Sequence, residues 1–269
     1  MNRRPSLLIV GTAIVAAAAI AALAGPLLPM DPTAQDLSAR LAGPTLAHPL
    51  GQDELGRDIL ARIFAGARIS FVVGITVVSV SAVVGTLFGS VAGYFGGVWD
   101  ELISRVVDTL LAFPGLLLAI ALVAVLGPSL RNVLLALTVI GWVGYARLVR
   151  GHVLRVREFD YVQAARALGA TPLHILCRHV IPTALPIVLV QATLGMAGAI
   201  VGEASLSFLG LGVQPPTPSW GTMLNGGRAH ILDAPHLTIF PGLAIAVVVL
   251  GFNFLGDGLR DWSDPKSAK

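Results

Sequence analysis

Among the 269 residues there is one cysteine, Cys177, and there are two lysines, Lys266 and Lys269, against sixteen arginines. One cysteine excludes an intrachain disulfide and a cysteine-built metal cluster. A phosphate-binding P-loop needs a lysine that reaches the phosphates. Neither lysine sits in such a loop, so the chain carries no ATPase of its own. Charge is scarce: 12% of residues are charged, 55% are apolar and the mean hydropathy is +0.81, which excludes a water-soluble domain. The net charge of +3 is scattered among apolar stretches, so nucleic acid finds no basic patch.

What the sequence does hold is long apolar runs. A bilayer core of about 30 Å takes about 20 helical residues to cross. Six runs reach that scale and predict an all-α integral membrane protein with spans near 7–28, 69–93, 105–127, 132–150, 183–206 and 237–257. The fourth is the weakest, reaching full length only by including Arg147. A seventh uncharged run, 204–227, holds Gly210, Gly212, Pro215, Pro216 and Pro218 and reads as a structured loop. The first run has a signal-peptide alternative, with Arg3 and Arg4 ahead of it and Ala22-Leu23-Ala24 resembling a cleavage site. Signal cores run about 7–15 apolar residues, and Leu7 to Ala24 is longer, which suits an uncleaved anchor.

Arginine bias orients the spans. Segment 147–178 has six arginines against two acids, a net of +4, whereas 29–68 has four against five. The 147–178 loop is therefore expected in the cytoplasm and 29–68 outside, with both termini also cytoplasmic, in agreement with Arg3, Arg4, Lys266 and Lys269.

No histidine falls within a predicted span, and the ionisable groups Arg105, Asp108, Glu203 and Asp257 all lie near span ends. An ion-coupled carrier more often places a carboxylate or histidine at the midplane. Gly256-Asp257-Gly258 has no second mid-helix aspartate to make a protease pair, and Cys177 with His174 and His179 reads better as a surface helix than as a metal site. Gly85, Gly89 and Gly93 in the second span, and Gly198 and Gly202 in the fifth, have the spacing that lets helix backbones approach. Static packing and a sliding interface between gating helices both fit. Pro114 and Pro186 predict local kinks.

Segment 151–182 is the most informative. Phe159 to Leu168 reads as a short helix capped by a left-handed Gly169. Thr171-Pro172 then opens a second helix, Leu173 to His179, which Ile181-Pro182 ends. Ala164 and Ala165 keep one surface shallow for a partner, with Val162, Leu168, Leu173, Ile175 and Leu176 as apolar contact area. A loop lying on lipid through its arginines is the alternative.

The run Gln163-Ala164-Ala165, Gly169 and Pro182 resembles the EAA loop of permease subunits in ABC importers: Glu-Ala-Ala, three residues, Gly, nine residues, Ile-x-Leu-Pro. Gln163, His179 and Ile181 depart from it, and Gln163 removes any contact that needs a glutamate. The stretches His48 to Asp58, Glu203 to Gly212 and Asn253 to Asp261 resemble the second permease of dipeptide, oligopeptide and nickel importers, so the likeness covers nearly the whole chain.

That resemblance implies a type I ABC importer permease fold in a bacterial inner membrane. It also implies a heterodimer with a second homologous permease, two P-loop ATPase subunits that bind ATP and magnesium, and an extracytoplasmic substrate-binding protein. This chain would bind no cofactor and couple nucleotide-driven motion to pore opening through the loop with Gln163, Ala164, Ala165, Gly169, Thr171, Pro172 and Pro182. Residues 1–68 would form an N-terminal span and outer segment, and 69–269 the permease core. In the outer segment Leu55, Ile59, Leu60, Ile63 and Phe64 predict an amphipathic helix along the interface. The resemblance assigns 207–236 to a surface facing the binding protein or closing the outer gate, while Trp220 within it reads equally as an interfacial anchor. An ion-coupled carrier and a non-transport membrane scaffold are the competing readings.

Overall fold

The computed structural model describes residues 6–27 and 29–263. Arg3, Arg4, Lys266 and Lys269, which entered the orientation argument, lie outside the described residues. The described chain is helical and strand-free apart from an isolated bridge between Gln52 and Asp58. The helices are α1 (Ser6–Ala24), α2 (Ile59–Phe95), α3 (Gly97–Leu111), α4 (Gly115–Leu126), α5 (Leu130–Val156), α6 (Asp160–Ala167), α7 (Pro172–Ile175), α8 (Ile181–Phe208), α9 (Trp220–Gly227) and α10 (His236–Ser263). Five helices are long and apolar enough to cross a bilayer, and the bent pair α3 and α4 brings the number to six if it counts as one span.

The core is built around α2 and α5, which lie against each other along most of their length; α8 packs on both and on α10. The N-terminal α1 lies along α10, where Gly11 faces the backbone of Gly251, Phe254 and Leu255, and a Cβ on Gly251 would come within 2.6 Å of Ile14 Cγ2.

Four expectations are corrected. The span placed at 105–127 is broken, with α3 and α4 meeting at 86°. Pro114 has no N–H to continue the helix, and the residue before a proline is pushed out of the helical region. At 12 residues α4 rises about 18 Å, less than a bilayer core, and on the amphipathic α3 only Val107 is buried. The outer amphipathic helix expected around Leu55 to Phe64 is instead the start of α2. The Asp58 side chain caps it by accepting from the Ala61 amide at 2.8 Å, and the helix then runs 37 residues, or about 55 Å.

Ile181-Pro182 does not end the second loop helix. The chain passes from α7 through a π-helical turn, Leu176–Val180, straight into α8, with the Ile181 amide bonded to the Leu176 carbonyl. The wider turn absorbs the N–H that Pro182 lacks. Finally, the loop read at 204–227 contains a helix, α9, opened by a capping box in which Ser219 and Thr222 each bond the other's backbone amide.

Candidate functional site

The loop between α5 and α8 is stitched to the bundle by its apolar residues. Val162, Ile175, Leu176 and Val180 are buried, so three of the five side chains expected to face a partner fasten the loop instead. Leu168 and Leu173 do face outward, 88% and 64% exposed, on either side of Gly169. Gly169 has φ +83°, and the amides of Gly169 and Ala170 bond the carbonyls of Arg166 and Ala165 at 3.0 and 3.1 Å. That is a paired helix-end cap which needs the left-handed residue between its two bonds. Thr171 Oγ1 accepts from the His174 amide at 3.3 Å, with Pro172 in the first turn after it. Ala164, Thr171, Pro172 and Pro182 are exposed and Ala165 is half-buried. The shallow face with its two leucines can seat in a partner's groove.

Gln163 points the other way. Its side-chain amide donates to the Arg157 carbonyl at 3.0 Å, and the Arg157 guanidinium donates to the Gly93 carbonyl at 2.9 Å. The loop helix is thereby tied through Arg157 to the end of α2. A glutamine can make this bond and a carboxylate cannot, because the group it meets is an acceptor. Beside it, Arg150 of α5 grips Asp100 of α3 with two nitrogens, one pair at 2.8 Å.

Gly85, Gly89 and Gly93 lie where α2 crosses α5. A Cβ on Gly85 would come within 2.5 Å of the Trp142 carbonyl oxygen, on Gly89 it would meet the Ala146 carbonyl, and on Gly93 it would sit 2.9 Å from the Arg150 carbonyl. The second glycine pair behaves differently. Gly198 has nothing within 4 Å of its would-be Cβ, and Gly202 meets only the tip of Leu137, at 3.0 Å. The close helix contact expected at Gly198 is absent among the described residues. Both residues line a cavity of about 400 Å³ between α2, α4, α5 and α8, mostly apolar and without a charged side chain.

At the opposite end of the bundle from the loop, the motif around Asp53 is a buried clasp. Asp53 accepts from the Arg57 guanidinium at 2.7 Å, with Arg62 paired to it at 3.3 Å, and all three are at least nine-tenths buried. The Gln52 side chain donates to the Gly56 carbonyl at 2.8 Å. Trp220 is no free interfacial anchor: it is 2% exposed and its indole donates to the Ile63 carbonyl at 3.0 Å, pinning α9 to α2. Glu203, fully buried, accepts from Ser207 at 2.6 Å, and Ser207 accepts from the Val213 amide, which holds the loop after α8 against the bundle. In the segment between α1 and α2, Asp36 is held below the usual carboxylate range, first by the Ser38 hydroxyl and then by the Ser38 amide.

Two features were missed in the sequence. The cavity arises from helices distant in the chain, and Arg157 looked like one arginine among many in a basic loop. The Gln163 substitution was the visible clue to the second.

Residues 85–269 match the family described as "Binding-protein-dependent transport system inner membrane component". The chain is 46% identical to the dipeptide transport system permease protein DppC of Alkalihalophilus pseudofirmus over 265 residues, 98% of this chain and 87% of that protein. It is 50% identical to the glutathione transport system permease protein GsiD of Escherichia coli over 224 residues, 83% of this chain and 74% of that one. A solved structure of the MetNI methionine ABC transporter in an inward-facing conformation superposes with a TM-score of 0.57 at 20% identity, covering 77% of this chain and 96% of that chain, which establishes the shared fold.

Proposed function

The chain belongs to the family of binding-protein-dependent transport system inner membrane components, and we propose that, as a permease subunit of an ABC importer, it passes small peptides along a pathway shared with a second, related permease. It is a multi-pass inner-membrane subunit and not an enzyme; the ion-coupled carrier and the inert scaffold give way to the family match. The two relatives are named for a dipeptide and for glutathione, solutes that share the peptide bond.

In this reading the loop end is cytoplasmic, which its net of +4 over 147–178 supports. Two partner ATPases bind ATP and magnesium there and push on the face bearing Ala164, Leu168, Gly169 and Leu173. The opposite end, with the Asp53 clasp and α9, meets the substrate-binding protein. The observation that carries the coupling role is the continuity of the loop with the bundle. At one side Gln163 and Arg157 reach Gly93 of α2, and at the other α7 runs unbroken into α8. A push on the loop therefore moves two spans that flank the cavity.

The test is reconstitution of this chain with its neighbouring permease, ATPases and binding protein in proteoliposomes. ATP-dependent uptake of radiolabelled alanyl-alanine or glutathione is expected, lost when Ala164→Glu places an unpaired charge at the exposed docking face. Normal uptake in that variant would remove the loop from the coupling path.

A further inference from the structure

The cavity between α2, α4, α5 and α8 is mostly apolar; its polar lining is Ser205, whose hydroxyl donates to the Val201 carbonyl of its own helix at 2.7 Å, and one cluster nearer the loop end of α8. Ser81 of α2, Tyr145 of α5 and Gln191 of α8 line it together, roughly 15 to 21 Å along their helices from the loop end, near the middle of a bilayer core. The Ser81 hydroxyl is 1% exposed and has no hydrogen-bond partner among the described residues. A buried hydroxyl without a partner costs free energy unless something else in the site completes it. The Gln191 side-chain amide likewise makes no hydrogen bond among the described residues; only its backbone carbonyl is used, weakly, by Tyr145 Oη at 3.4 Å. Glycines admit the two hydroxyls. A Cβ on Gly141 would stand 2.5 Å from Ser81 Oγ, and one on Gly195 would stand 2.6 Å from Tyr145 Oη.

We propose that Ser81, Tyr145 and Gln191 form a mid-membrane subsite that holds the amide groups of the transported solute. The chemistry selects this ligand class. Hydroxyl and carboxamide groups each donate and accept, as a peptide bond does, and among the described residues no charged side chain lines the cavity to hold an ion or a metal chelate. The volume of about 400 Å³ lies at the lower end of small-molecule sites, about 300–1,000 Å³. Few uncharged hydrogen bonds give weak, brief holding, which suits a passage in which the solute must leave again.

The inference rests on the importer reading, so the assay separates the two. Uptake of radiolabelled alanyl-alanine and of glutathione is measured in proteoliposomes of the full complex, beside ATP hydrolysis stimulated by the loaded binding protein. Gln191→Leu is expected to lower solute moved per ATP about tenfold and Ser81→Ala about threefold, with ATPase stimulation kept within about twofold. Gly198→Leu, whose side chain would enter the open cavity, is expected to block uptake while the four kinds of subunit still co-purify. Unchanged solute per ATP in Gln191→Leu overturns the subsite. So does loss of ATPase stimulation along with uptake in that variant, or loss of the second permease from the Gly198→Leu complex. A wild-type complex that imports neither solute would sink the peptide-importer reading itself.

Discussion

Two glycine runs of the same spacing end in opposite surroundings. On α2, Gly85, Gly89 and Gly93 press against the backbone of α5; on α8, Gly198 looks into open space and Gly202 meets a leucine tip. The spacing says only that a strip of helix has no side-chain bulk. What becomes of the vacated room depends on the helix opposite. Against α5 it is taken up by main-chain carbonyls of Trp142, Ala146 and Arg150, which cannot swing aside. Against α8 it stays as cavity. Interlocked backbones fit static packing better than sliding, so α2 and α5 pack as one unit and α8 borders the space beside it.

Forcing bulk into the closed strip should have the largest effect. Gly89→Leu places a side chain on the Ala146 carbonyl, and relief requires the two helices to part, at a cost on the order of 3 kcal/mol or more. Loss of folded protein in the membrane fraction and of co-purifying subunits is the expected readout; normal assembly would mean that the α2–α5 contact opens easily.

Next comes the loop proposed to drive this unit. Gly169→Val asks a β-branched residue to hold φ near +83°, at a cost of about 1–2 kcal/mol, although its Cβ would meet nothing within 4 Å. The cap should loosen while assembly survives. ATPase-coupled uptake is expected to fall several-fold with subunit yield unchanged, and a drop in yield of the Gly89→Leu kind would show that Gly169 serves folding instead.

Gln163→Glu should have a smaller effect. It turns a donor into an acceptor facing the Arg157 carbonyl, and the Arg166 guanidinium, 3.5 Å from the Gln163 side-chain oxygen, can take up the carboxylate. We expect solute moved per ATP to fall about twofold to fivefold, about the worth of one hydrogen bond. An unchanged ratio would show that the Gln163 to Gly93 connection transmits nothing.

Which features were legible follows from their range. The spans, the Gly169 cap and the Thr171-Pro172 helix start are written within a few residues of themselves, by apolar length, a left-handed glycine and first-turn chemistry. Helix ends near proline were misread in both directions. Pro114 breaks a span outright, whereas Pro182 is absorbed by a π turn, and a proline alone does not show which will happen. Burial on the loop depends on the bundle beneath it, so Val162, Ile175 and Leu176 could not be told from Leu168 and Leu173 by hydrophobicity. The polar level of the cavity was invisible for the same reason: Ser81, Tyr145 and Gln191 are each unremarkable in a span and meet only after three helices pack.

The smallest expected effect sharpens the comparison most, because it changes sign between the strips. Gly198→Ala adds one methyl where nothing lies within 4 Å, and replacing a mid-helix glycine by alanine stabilises by roughly 0.5–1 kcal/mol when there is no clash. Gly89→Ala adds the same methyl against the Ala146 carbonyl and should destabilise. Thermal unfolding of the purified complex, followed for the two variants side by side, should move the midpoint slightly up or not at all for Gly198→Ala and down for Gly89→Ala. A single methyl leaves most of the 400 Å³ cavity free, so uptake should stay near wild type in Gly198→Ala. If both midpoints fall together, a helix of the second permease occupies the space beside Gly198. The two strips would then be packing surfaces of one kind, one filled from within the chain and the other from its partner.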